Sequence, residues 1–338
     1  MSWTRRDVLT RLLPAAAVPL IGGLTACSAS AGEAGTPASP AQTGASATAA
    51  GPAVITHKFG QTTVPAGAQR VATVGWNDQD FVLPLGIVPV IARPWFEEYD
   101  SYPWVRQSTA GLGVPTFKGD EINYEAVAAT QPEVILAIYE ELDQAAYDKL
   151  SAIAPTIAQP AEYPAWETPW NIQQLITGEA LGRWAQAQDL VDQVQAAIDQ
   201  AKADHPEFAG KVLVEDYGPE NGGHYLIPKG DPRRALFDSL GFEAQAEEGD
   251  LSEEKLALLD RDVLFVVGAT KSQLAKSKVF SQLPVVKEDR TLYTTFESNL
   301  AGALSYSGPL ALTYALDKLG PQLANALNGR PVADLANA

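Results

Sequence analysis

The chain has 338 residues and a formal charge of −17, with 24 Lys and Arg against 41 Asp and Glu. Phosphate recognition needs clustered cations, so this balance excludes nucleic-acid binding and argues against a protein lying flat on anionic lipid. The single cysteine excludes an intramolecular disulfide and a thiolate-based metal cluster.

Thr4-Arg5-Arg6-Asp7 opens the chain, and a moderately apolar run from Val8 to Leu24 follows, broken by Pro14 and Pro19. That run is too interrupted for a spanning helix of roughly 20 apolar residues. Residues 1–26 therefore read as an export signal outside the fold. Adjacent arginines before an apolar residue are similar to a twin-arginine signal, which exports proteins already folded; a general-secretion signal is the other reading. Leu24-Thr25-Ala26-Cys27 resembles the bacterial lipobox, so Cys27 is the expected lipid attachment point, on the extracytoplasmic face of the cell membrane. Residues 27–53 form the expected tether: Ala, Ser, Gly, Thr and Pro dominate, and Glu33 is the one charge. As a flexible coil the tether spans roughly 25–30 Å. Loss of residues 1–26 leaves a charge of −19.

From Val54 the pattern changes to short β-branched runs alternating with helical stretches. Val54 to Val64 suggests an opening hairpin around Gly60-Gln61. Val71–Val74, Val88–Ile91, Val134–Ile138, Val212–Val214 and Val263–Val267 read as buried strands, with helices expected over Glu121–Thr130 and Leu142–Ile153. Ile172, Leu175, Ile176, Leu181, Trp184, Val191, Val194 and Ile198 form the longest apolar stripe. Gly178 and Gly182 predict a kink or break in it, and His205-Pro206 its end. The fold class is thus α/β: two Rossmann-like lobes with mainly parallel sheets, residues 54–168 and 206–330, joined by a helical connector over 169–205.

Ligands of open parallel sheets bind beyond the carboxyl ends of strands. Trp76, Trp95, Tyr139 and Tyr217 follow four such ends, with Arg93 among them, and Phe296 follows a late strand at Leu292-Tyr293-Thr294, which suggests a wide cleft for a bulky ligand. There is no glycine-rich dinucleotide fingerprint, phosphate loop, Gly-x-Ser-x-Gly or His-x-x-x-His. The histidines are scattered: His57 and His205 read as exposed structural residues, and His224 follows a turn that can bring it to a cleft rim. No metal site is expected from them. Glu140-Glu141 and Glu247-Glu248 read as solvated faces.

Several segments together resemble the siderophore-binding lipoproteins of bacterial iron ABC importers, the helix-linked class of periplasmic binding proteins. In the first lobe these are Arg70-Val71-Ala72 before Gly75-Trp76, Leu85–Val90, Asn123–Val127 before Gln131–Leu136, and Tyr147–Thr156. In the second they are Asp231-Pro232-Arg233 before Leu240-Gly241-Phe242, then Leu251–Glu254, and finally Ala303–Leu310. The resemblance implies a monomeric receptor, not an enzyme, that holds a ferric siderophore between two lobes without a cofactor of its own and closes only modestly. It implies docking on the ABC permease through one surface glutamate per lobe, matched here by Glu125 and Glu254. Arg93, Lys118 and Arg233 are the cations expected near the ligand; Lys118 stands where some hydroxamate binders carry an arginine. So few cations in so acidic a body favour a hydroxamate or mixed siderophore over a catecholate. A haem or cobalamin receptor, with His224 or Tyr217 as axial ligand, is the alternative on the same fold. An exported cofactor-dependent enzyme is the rival of another class.

Overall fold

The computed structural model describes residues 51–119, 121–218, 223–336 and 338. Cys27, the export signal and all but the last three residues of the tether lie outside the described residues.

Strands β1 (Ala53–His57) and β2 (Gly60–Val64) form the antiparallel hairpin that opens the fold, with Ala53 opposite Val64. His57 is buried there, not exposed. Its Nδ1 accepts from Phe59 N at 3.2 Å and its Nε2 contacts Thr62 Oγ1 at 2.8 Å, while burial pushes its pKa down to about 4.

The first lobe is a four-stranded, all-parallel sheet in the order β4-β3-β5-β6: β3 is Val71–Thr73, β4 Ile91–Ala92, β5 Val134–Ala137 and β6 Thr156–Ala158. Every residue of these strands is buried, so they read as continuous apolar runs and not as alternation. The strand expected at Val88–Ile91 starts only at Ile91. Pro89 has no N–H to give a ladder, and Val90 N instead bonds Val71 O at 2.8 Å. Four helices surround the sheet: α1 (Gln79–Val82), α2 (Pro103–Ser108), α3 (Tyr124–Ala129) and α4 (Gln144–Ser151). Asn123 and Asp143 cap the last two, accepting from Ala126 N and Ala146 N.

The connector is two helices, α5 (Trp170–Ala180) and α6 (Trp184–Asp204). The two glycines have different tasks. Gly182 sits at φ +66°, in the left-handed region that ends α5. Gly178 is the contact point, where a Cβ would lie 2.3 Å from the Ala187 side chain. Ala187, Val191, Val194 and Ile198 form the buried face of α6.

The second lobe has six strands: β7 (Val212–Tyr217), β8 (His224–Leu226), β9 (Glu243–Ala244), β10 (Gly249–Leu251), β11 (Val263–Val267) and β12 (Thr291–Thr294). The order is β10-β8-β7-β11-β12, with β9 beside the start of β7. β7, β9, β11 and β12 run parallel; β8 and β10 are antiparallel additions that the sequence pattern did not announce. Helices α7 (Ala235–Leu240), α8 (Lys271–Leu274), α9 (Pro284–Lys287), α10 (Asn299–Tyr306) and α11 (Pro309–Leu327) complete it.

Helix α11 packs along α6 and touches α1 and α2 of the first lobe and α5 of the connector as well as β11 and β12 of the second lobe. One apolar core accordingly runs through both lobes, taking in Phe81, Leu175, Val194, Phe237 and Leu312, and a smaller cluster lies on the other face of each sheet. Among the described residues no helix is long and apolar enough to cross a membrane.

Candidate functional site

The turn after β3, Gly75-Trp76-Asn77-Asp78, is built around a buried carboxylate. Asp78 Oδ2 accepts from Gly75 N and Ile138 N, and Oδ1 from Tyr139 N, each at 3.1 Å; Gln173 Nε2 on α5 adds a bond of 2.8 Å to Oδ1. Burial pushes Asp78 up to about 6, and these donors act against that rise. Only glycine fits at 75, because a Cβ would stand 2.4 Å from Asp78 Oδ2. Trp76 N also bonds Tyr139 O at 3.2 Å. One carboxylate thus ties the ends of β3 and β5 to α5 and projects Trp76 and Tyr139 side by side.

Trp95 completes an aromatic wall, with ring centroids 6.1 Å from Trp76 and 6.4 Å from Tyr139. Behind it Tyr306 of α10 packs 5.5 Å from Trp95, and Tyr306 O accepts from Asn77 Nδ2 at 3.1 Å. The guanidinium of Arg93 lies 3.6 Å over the Trp76 ring and pairs with Glu140. Arg93 is therefore a buried support beneath the wall, and Glu140 is its counter-ion; the reading of Glu140 as a solvated face was wrong.

On the second lobe Tyr217 ends β7 and Phe296 follows β12; their rings meet edge-on at 5.7 Å. Arg233 lies 4.8 Å over Tyr217, and its fork is held by Asp231 through bonds of 2.9 and 2.6 Å. His224 is buried at the start of β8, with Nδ1 2.5 Å from Asp216 and its ring stacked on Phe280.

Two cavities share Arg233 in their linings. One, of about 410 Å³, lies between the lobes, with Trp76, Trp95 and Tyr139 on one side, the Pro228–Arg233 loop on the other, and Trp166 and Glu167 at its rim. The other, of about 760 Å³, runs into the second lobe past Tyr217, Phe296, His224, Asp250 and Lys255. Six of the seven residues expected at the ligand therefore line one or other of these two cavities, and Arg93 lies beneath the Trp76 ring. Lys118 lines neither cavity. It lines a separate open groove of about 940 Å³ with Tyr124, Glu125 and Lys149, on the outside of the first lobe. Glu125 and Glu254 are both exposed.

Trp166 escaped the sequence reading because it follows no strand; it sits between Pro164 and Pro169 on the way into α5. Its signal was a tryptophan inside a proline-rich connection, a costly residue in a place that needs none for packing.

A sequence profile described as periplasmic binding protein matches residues 71–297. The chain is 26% identical over 235 residues to the ferric-anguibactin-binding protein FatB of Vibrio anguillarum, a match covering 65% of this chain and 69% of the relative. A periplasmic solute binding protein of Mycobacterium smegmatis superposes with a TM-score of 0.75 at 32% identity, over 82% of this chain and 99% of that one. Streptococcus pneumoniae PiaA in complex with ferrichrome gives 0.68 at 26% identity, over 82% and 99%.

Proposed function

The chain belongs to the periplasmic binding protein family, and from that membership we propose that it is an extracytoplasmic receptor that captures a ferric siderophore between its lobes and delivers it to an ABC importer. The observation that carries the reading is the aromatic cleft and its charge. Trp76, Trp95, Tyr139, Tyr217 and Phe296 offer flat apolar surface to a bulky ligand whose iron is already chelated. The relatives bind such cargo: ferric anguibactin for FatB and ferrichrome for PiaA.

The cleft lining also supports a ligand class. Arg233 is held by Asp231 and Arg93 by Glu140, and the two lysines of the lining, Lys229 and Lys255, share it with Glu167, Asp250 and Glu253. A ferric tris-catecholate carries three negative charges and calls for cations not already committed to carboxylates. A neutral or cationic ferric hydroxamate, or a mixed-ligand complex, suits this lining better. Cys27 supplies the lipid anchor in this reading, with residues 27–53 as tether, and Glu125 and Glu254 meet the permease.

Titration followed by tryptophan fluorescence tests the reading, because Trp76, Trp95 and Trp166 all line the inter-lobe cavity. Ferric hydroxamate quenches at submicromolar concentration, and ferric catecholate does not. A haem or cobalamin ligand is the second reading, favoured by one observation: His224 lines the second cavity with Nδ1 held by a buried aspartate, the support an axial histidine needs. Quenching by haem or cobalamin alone would establish it, and silence toward all four ligands sinks the receptor reading.

A further inference from the structure

Among the described residues, Trp166 is the one ring of the inter-lobe cavity that meets neither another ring nor a cation. Trp76, Trp95 and Tyr139 each meet another aromatic ring or a guanidinium. Trp166 meets no ring among the described residues and is 41% exposed. Its backbone is also in an unusual place. Glu167 N bonds Pro164 O at 3.2 Å, closing a turn in which Trp166 takes the third position at φ +61°. Glycine or asparagine belongs there, because a Cβ in the left-handed region crowds the following carbonyl. A bulky aromatic in that conformation is an outlier, and such outliers persist where the surroundings hold them and use them.

The surroundings do hold it. Upstream, the buried Gln159 donates from Nε2 to Tyr163 O at 3.1 Å. Downstream, Thr168 is fully covered and Trp170 anchors the start of α5. Pro160, Pro164 and Pro169 stiffen the strap between these anchors. The strap therefore keeps a half-covered indole at the cleft rim, against the local backbone preference, with no ring or cation contact inside the protein among the described residues to offset the strain.

We propose that Trp166 is a specificity-determining residue of the receptor: its indole covers one face of the bound ferric siderophore, and ligand contact covers the ring surface that the empty protein leaves exposed. This inference rests on the receptor reading above. It separates Trp166 from the wall residues, which are held in place with or without ligand.

The test compares wild type with Trp166→Gly, Trp166→Ala and Trp166→Phe by calorimetric titration with ferrichrome and ferric desferrioxamine, alongside thermal unfolding of the unliganded proteins. Trp166→Gly relieves the left-handed strain, so it melts a few degrees higher than wild type while binding about tenfold more weakly. Trp166→Ala loses the same affinity without the rise in melting temperature. Trp166→Phe keeps affinity within about threefold, since a flat ring remains. A glycine variant that binds as tightly as wild type, or that melts lower, overturns the inference. Wild type that binds neither siderophore overturns the receptor reading itself, and this one with it; wild-type binding with an unaffected glycine variant overturns this one alone.

Discussion

Single residues set what this site is, and they differ in how visible they are in the sequence. The aromatic residues were legible because the carboxyl end of a parallel strand is where ligands meet an open sheet, and Trp76, Tyr139 and Tyr217 stand there. The pairing of Arg93 with Glu140 was not, because the partners follow β4 and β5, which flank β3 on either side, an order that no local pattern encodes. Glu215 is a sharper case: a charged residue in the middle of β7 with no exposed surface, on the same face of the strand as Tyr217. Burial pushes its pKa up to about 8, against the pull of Arg234 and Arg233. In the unfolded chain the same carboxyl titrates near 4.5. Between these values the folded state binds a proton that the unfolded state has lost, so stability falls as pH rises from 4.5 toward 8, by at most about 1.4 kcal/mol per pH unit. Glu215→Gln removes the titration and keeps the shape. Differential scanning fluorimetry should find the variant equal to wild type at pH 5 and increasingly more stable toward pH 8. A variant less stable than wild type at pH 8 means that Glu215 is ionised and paired with Arg234 instead.

At the scale of elements, periodicity carried most of the information, and short polar elements carried none. The apolar stripe from Ile172 to Ile198 gave the connector, and its two glycines marked the break between α5 and α6. Strands β8 and β10 were invisible: three residues each, His224-Tyr225-Leu226 and Gly249-Asp250-Leu251, too short to display a period. β8 exists because β7 offers an edge, where Asp216 and Tyr217 pair with Leu226 and Tyr225, and β10 adds to β8 in turn. Gly178 lets packing be weighed against propensity. In an isolated helix, alanine is better than glycine by about 1 kcal/mol, so Gly178→Ala would stabilise α5 by itself. In the fold the added Cβ meets the Ala187 side chain at 2.3 Å, and overpacking a tight helix contact costs about 1–3 kcal/mol. Packing wins, and the variant should unfold at lower urea concentration than wild type. An unchanged or higher midpoint would show that α5 and α6 separate at little cost.

At the scale of the whole molecule, the two lobes are held by more than the connector. α11 lies against α6 and reaches both halves, a role hidden in the sequence because its apolar positions look like those of any amphipathic terminal helix. Together with the shared core it braces one lobe against the other, which bears on the docking proposed above. Glu125, exposed on α3 beside the open groove of the first lobe, and Glu254, exposed in the 3-10 turn Glu253–Leu259 of the second, belong to different lobes of this braced body. Two anionic points held at a set spacing can engage two cationic points on a permease at once, and a second contact made within an already docked complex is strengthened by its effective concentration. Each single change, Glu125→Ala or Glu254→Ala, should therefore lower siderophore-dependent uptake in part, and the pair should abolish it. Calorimetric affinity for the soluble ligand should stay at the wild-type value in all three variants, since neither residue lines the aromatic cleft. Uptake that survives the double change removes the two glutamates from docking, and a loss of soluble affinity moves them into the binding site.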